Sequence, residues 1–189
     1  MAMAAVDFGF ISSLEGGPAL CGYVPDPEQS NSGVTVATGF DLGCRSDSDL
    51  VALLPEHGEL VDKLARYCGH KRSTAVTVLE NCPLHITEAE AKLIDSAVKQ
   101  QLLNQLQQRY DSAAETGFAL LPAAMQTVIA SVAFQYGDLA KRCPRFWRAA
   151  VAGDAIAMIR ELKNFGDRYI TRRQREANYL QKFCKAGIA

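Results

Sequence analysis

Residues 10–43 read FISSLEGGPALCGYVPDPEQSNSGVTVATGFDLG. The stretch opens inside an amphipathic helix: Phe8, Ile11 and Leu14 recur at i, i+3 and predict a buried stripe over 6–14. Gly16, Gly17 and Pro18 stop that helix and leave Glu15 as a single carboxylate at its end. A polar run follows to Gly33, with Pro25-Asp26-Pro27 and Ser30-Asn31-Ser32-Gly33 as turn chemistry. VTVATGFDLG then alternates β-branched residues and reads as a short strand or hairpin arm, so that 22–43 is the β-containing segment. Thr35, Thr38 and Asp41 lie on that arm or at its end. A helix-terminal carboxylate, followed by a small β element with hydroxyls and a second carboxylate, is a set of groups able to do chemistry.

The rest of the chain reads as helices. Ser46, with Asp49 three residues on, predicts a capped helix over 46–54, and another short helix is expected over 59–67. TAVTVL at 74–79 is rich in strand formers but sits among helices and is read as helix. Thr87-Glu88-Ala89-Glu90 is a capping box that opens the clearest helix, whose apolar positions Ala91, Ile94, Val98, Leu102 and Leu106 keep helical spacing toward Tyr110. Pro122 fits the first turn of a helix over 122–136 that is apolar round much of its circumference, which predicts a central, buried element ended by Gly137. Amphipathic helices over 144–151 and 154–165 precede a basic one over 171–185. The fold class expected is α+β, predominantly α-helical, with one small sheet near the N-terminus.

Composition narrows the function classes. The 189 residues are 48% apolar and 22% charged, ordinary for a globular protein, with a net charge of −1. Bulk electrostatics therefore gives no argument for nucleic acid or anionic lipid, and the basic residues near 168–185 lack interleaved aromatics. No apolar run reaches membrane-span length. The first residues lack a basic region and Asp7 interrupts their apolar run, so no cleavable Sec signal is expected. The six cysteines are scattered singly without C-x-x-C spacing, and His57, His70 and His85 show no ligand spacing. No metal or cofactor is expected. The thiols are read as free and partly buried, with disulfides formed after export as the alternative. Phe146 and Trp147 read as core or as the floor of a cleft.

A lone Glu is most often a solvated carboxylate, and strand threonines are most often only strand formers. At Glu15 the preceding Leu14 and following Gly-Gly favour another role. A carboxyl set against apolar surface is favoured in its protonated form, as a general acid requires. Glycoside hydrolysis needs one such acid and a second polar group to hold water or balance charge on the sugar.

These residues carry a family resemblance. Helix-Glu-Gly, a loop, then TVATGFDLG is similar to the phage-type lysozymes, and the Asp two residues after Gly39 resembles their pesticin-like branch of bacterial toxins. ITEAEAKLIDSAVKQQL resembles the segment opening the family's long interlobe helix, AMQTVIASVAFQYG its central buried helix, and ITRRQREANYL its C-terminal helix. The resemblance implies one lysozyme-like catalytic domain over 1–189. It would have a small β-containing lobe at roughly 16–86, and a helical lobe at roughly 87–189 joined by the first helix. It implies Glu15 as catalytic acid, with Thr35 and Asp41 orienting water. Classical phage enzymes place their second acid on the loop, where this chain has Asp26, and Asp41 is taken ahead of it. Asp26, Thr38, Arg172 and Arg173 are the expected substrate-binding residues, one of the arginines bordering the acid. The implied function is a muramidase cutting the β-1,4 N-acetylmuramic acid–N-acetylglucosamine bond of peptidoglycan with inversion. The expected setting is an antibacterial toxin or secreted effector, monomeric, with a cognate immunity protein and without membrane insertion, acting in the periplasm or wall of a target bacterium. A phage endolysin and a glycan-binding module that no longer cleaves are the alternatives.

Overall fold

Local signals account for most elements. The structure, a computed structural model, describes residues 4–186; residues 1–3 and 187–189, part of the expected domain span, lie outside the described residues. The chain runs α1 (Phe8–Ser12), β1 (Ala19–Tyr23), β2 (Thr35–Ala37), β3 (Phe40–Asp41), α2 (Asp47–Leu53), α3 (Gly58–Ala65), α4 (Arg72–Asn81) and α5 (Glu88–Asp111). It continues through α6 (Ala123–Tyr136), α7 (Leu139–Arg142), α8 (Pro144–Val151), α9 (Ala155–Lys163) and α10 (Ile170–Ala186). The fold is a predominantly helical, lysozyme-like α+β fold. It divides into two compact units, one over residues 15–101, the other from residues up to 14 together with those from 102 onward. The first part of α5 thus belongs to one unit and its last turns to the other.

The unit over 15–101 holds a three-stranded antiparallel sheet of order β1-β2-β3. β1 starts at Ala19, earlier than the expected β segment, because its outer edge is used: Gly22 N–H donates to Leu84 O at 2.8 Å and Ile86 N–H to Leu20 O at 2.8 Å. VTVATGFDLG is both arms of a hairpin, with Val36 opposite Phe40 and Thr35 opposite Asp41. Val34, Val36, Leu42, Leu50, Leu64 and Ile94 are fully buried in this unit's core. The expected capping boxes form. Ser46 Oγ accepts from Asp49 N–H while Asp49 accepts from Ser46 N–H, and Thr87 and Glu90 exchange the same pair of bonds. The segment 74–79 lies inside α4 as expected, because the buried Ala75 packs a helix face there. Gly33 and Gly43 permit a close crossing of backbones: a Cβ on Gly33 would stand 2.3 Å from His70 O, and one on Gly43 2.6 Å from Gly33 Cα.

In the helical unit α6 is the buried centre, with every residue from Ala124 to Ala133 out of solvent. Its polar members are satisfied internally, as burial demands: Gln126 Nε2 donates to Leu121 O and Thr127 Oγ1 to Ala123 O. The same two side chains accept from the N-terminal segment, Gln126 Oε1 from Ala5 N–H at 2.7 Å and Thr127 Oγ1 from Asp7 N–H at 2.9 Å. α1 is shorter than the expected 6–14. Asp7 caps it, its carboxylate accepting from Phe10 N–H, and the chain turns at Ser13. Phe146 is core, and Trp147 lines a cavity of about 570 Å³ with Leu102, Leu106, Phe134 and Leu139, its ring edge-on to Tyr110. The Leu42–Cys44 3₁₀ turn and α7, capped by Asp41 and Asp138, fall outside the elements expected from the sequence.

All six cysteines are free. Tyr67 and the Arg66 guanidinium beside Cys82 hold its thiol below the ordinary value, whereas burial pushes Cys68 up to about 11 and raises Cys143. Since the thiolate is the reactive form, iodoacetamide at pH 8 is expected to label native Cys82 well before Cys68 and Cys143, and six thiols should titrate in denaturant. Peptide mapping by mass spectrometry reads the order, and equal labelling of Cys68 and Cys82 would contradict it.

Candidate active site

Glu15, Thr35 and Asp41 all belong to the unit over 15–101. Thr35 and Asp41 are cross-strand partners. Leu42 N–H donates to Val34 O, so the next pair inward, Thr35 and Asp41, is of the non-hydrogen-bonded kind, whose Cα atoms approach to about 4.5 Å and whose side chains share a face. Both side chains meet the Gly33 peptide: Asp41 Oδ1 accepts from Gly33 N–H at 2.9 Å, and Thr35 Oγ1 donates to Gly33 O at 3.2 Å. Asp41 Oδ1 also accepts from Gly43 N–H at 2.8 Å, capping the 3₁₀ turn. The two glycines that must lack a side chain for the backbones to cross are therefore the donors that aim Asp41. Thr35 is 3% exposed and Asp41 half-buried. The six-residue spacing becomes a contact because the chain reverses at Thr38-Gly39, where Ala37 (φ +49°) and Gly39 (φ +83°) take left-handed backbone.

Glu15 stands three residues beyond the end of α1, not on its last turn. Gly16 and Gly17 after it are open, with nothing near the position of a Cβ. Its carboxylate is paired with Lys99 of α5, Nζ to Oε2 3.1 Å, with only 17% of the Glu15 side chain and 14% of the Lys99 side chain exposed. Sequence reading assigned Lys99 no part. A lysine four residues after Asp95 on a helix is unremarkable until the fold brings Glu15 to it.

The other expected residues fall into different roles. Thr38 donates its hydroxyl to Asp95 Oδ2 at 2.7 Å and its N–H to Oδ1 at 3.1 Å, so α5 holds both donors. Asp26 lies in an exposed turn, accepting from Gln29 N–H and Ser30 N–H, and its φ is +41°. Arg173, expected to bind substrate, is 2% exposed and sits in a buried ionic cluster. Its guanidinium bonds Asp167, Glu176 and Gln135, and it lies over the Phe165 ring. Arg172 joins the same buried cluster through Glu176 and the Ser131 carbonyl and hydroxyl. The arginine that reaches the chain before Glu15 is Arg175, whose two Nη atoms donate to Ser13 O and Ser13 Oγ at 2.9 Å. Arg172, Arg173 and Arg175 lie on the same turn of a basic helix, and which one turns inward is decided by packing. Among the described residues no cluster of three His, Cys, Asp or Glu could hold a metal, and no helix is long and apolar enough to cross a membrane.

The family model described as pesticin, bacterial toxin homologue of phage lysozyme, C-terminal part, matches residues 5–155. The match takes in α1, the hairpin, α5 and α6 and stops before α10. No curated protein matches the chain.

Proposed function

The chain belongs to the pesticin family of bacterial toxin homologues of phage lysozyme, and from that premise we propose that it is a muramidase cutting the β-1,4 bond between N-acetylmuramic acid and N-acetylglucosamine in peptidoglycan. The observation that carries this reading is the Thr35–Asp41 pair, two polar side chains on one face of the hairpin in the unit that also holds Glu15. In the proposed reaction Glu15 gives its proton to the glycosidic oxygen as that bond breaks. Water held by Thr35 Oγ1 and Asp41 adds its oxygen to the anomeric carbon, and its proton passes to Asp41. The setting proposed is an antibacterial toxin that works on the wall of a target bacterium from the periplasm, with a cognate immunity protein in the producer.

Proton NMR of newly formed reducing ends, during early turnover of purified glycan strands, tests bond and stereochemistry together. The expected product is a muramic acid reducing end that appears first as the α-anomer, because a threonine anchors water better than it serves as a covalent partner. First appearance of the β-anomer would show retention and sink the water-addition mechanism. No new reducing end would leave a glycan-binding module.

Asp41→Asn is expected to reduce activity far more than Asp26→Asn, by about 10²-fold or more if Asp41 is the base. Asn keeps an oxygen for the Gly33 and Gly43 N–H groups, so the hairpin should persist while the proton acceptor is lost. The opposite ranking of the two purified variants would move the second carboxylate to the loop.

A further inference from the structure

Two charged residues of α5, one helical turn apart, each hold a part of the proposed site. Asp95 takes both donors of Thr38 at the tip of the hairpin that carries Thr35 and Asp41. Lys99 takes the Glu15 carboxylate. Residues at i and i+4 lie above one another on a helix surface, so the two contacts issue from one face. We infer that this face of α5 is the template of the site, with Lys99 the positioning residue for Glu15 and Asp95 the positioning residue for the hairpin. The inference rests on the muramidase reading with Glu15 as acid.

The chain around each held group explains why a template is needed. Glu15 follows a turn and precedes Gly16-Gly17, whose open surroundings and lack of Cβ atoms leave the backbone there with little intrinsic preference. A carboxylate on such a segment has its direction set by what it binds, and Lys99, mostly buried itself, supplies that partner. At the hairpin, Ala37 has a left-handed φ of +49°, a conformation that a residue with a Cβ keeps only when its surroundings over-determine it. The bidentate grip of Asp95 on Thr38, the next residue, does so. α5 is a regular 24-residue helix, so its own hydrogen bonds fix the spacing of Asp95 and Lys99. The acid and the water-holding pair are thereby referred to one rigid element, as a reaction sensitive to misplacements near 1 Å requires.

The test uses full-length protein on soluble, un-crosslinked glycan strands, with kcat and KM separated and folding checked by urea denaturation. Lys99→Met is expected to lower kcat by about 10²-fold with KM within about threefold, the signature of lost alignment rather than lost binding. Lys99→Arg, which keeps the cation, should recover most of kcat, and Asp95→Ala should lower kcat in the same manner as Lys99→Met. Glu15→Gln is run beside them. If wild type is inactive, the muramidase reading itself fails; if wild type and Glu15→Gln are both active, the assignment of Glu15 as acid, on which the template inference rests, fails instead. If wild type is active and Glu15→Gln inactive, but Lys99→Met keeps or exceeds the wild-type kcat, the ion pair is idle or a brake and the template inference is overturned alone. Equal losses in Lys99→Met and Lys99→Arg, both folded, would also overturn a role for the charge.

Discussion

Glu15→Gln is expected to lower peptidoglycan hydrolysis by about 10²–10⁴-fold, the range that a positioned proton donor contributes. The substitution keeps the shape and size of the side chain. Its amide oxygen can still accept from Lys99 Nζ, which stands 3.1 Å from the carboxylate, so the local structure has little reason to change. What is lost is the proton for the departing sugar oxygen. A turbidity assay on purified walls, with thermal melts of both proteins, separates chemistry from folding. Near-wild-type clearance by the Gln variant would show that another group protonates the leaving oxygen. Loss of clearance with an unchanged melt assigns the acid to Glu15.

Arg173→Ala is expected to cost about 3–5 kcal/mol of stability, the loss typical of removing one partner from a buried ionic cluster. The cluster balances two cations, Arg172 and Arg173, against Glu176 and Asp167, with Glu176 wholly out of solvent and also accepting from Ser131 Oγ at 2.5 Å. Removing Arg173 leaves Asp167 without its cation, Gln135 without its donor, and a gap against the Phe165 ring. The loss should depend on pH. Burial acts to raise the Asp167 carboxyl, but hydrogen bonds from Tyr136 and Arg173 and the Tyr169 N–H outweigh it and hold the group below its ordinary 3.8. A carboxyl lowered on folding adds stability above its unfolded value, and that share vanishes as pH falls through the folded value. Urea denaturation of wild type and Arg173→Ala should therefore differ most near neutrality and converge somewhat below pH 4. A neutral-pH difference under about 1 kcal/mol would show that solvent or rearrangement replaces the arginine.

Of these two expectations, the one at Glu15 began in the sequence and the one at Arg173 in the packing of α10. Elements written by short-range physics were legible. The Thr87–Glu90 capping box, the apolar circumference of α6, and the break at Gly137 are decided within a few residues by hydrogen bonding and burial. The Glu15, Thr35 and Asp41 triplet was legible as residue types at suggestive spacings, and the family resemblance rests on the same letters, later matched over residues 5–155. The hairpin could be suspected from VTVATGFDLG, and six residues proved to be the separation of a directly opposed pair.

Tertiary structure alone decided which charges meet. Glu15 to Lys99 spans 84 positions in the chain and Thr38 to Asp95 spans 57, and no periodicity encodes such pairings. The same holds on α10, where Arg172, Arg173 and Arg175 occupy one turn with three fates: packing aims Arg173 inward onto Glu176 and Asp167, places Arg172 beside it, and leaves Arg175 to grip Ser13. A helix period of 3.6 residues sets the angles between those side chains, but which angle points inward depends on what the helix lies against. Sequence therefore determined most of the elements, the fold class and the chemical types at the candidate site. The partner of each charged group followed from the packing of distant segments, because Coulomb and hydrogen-bond energies act over a few ångströms in space without regard to distance along the chain.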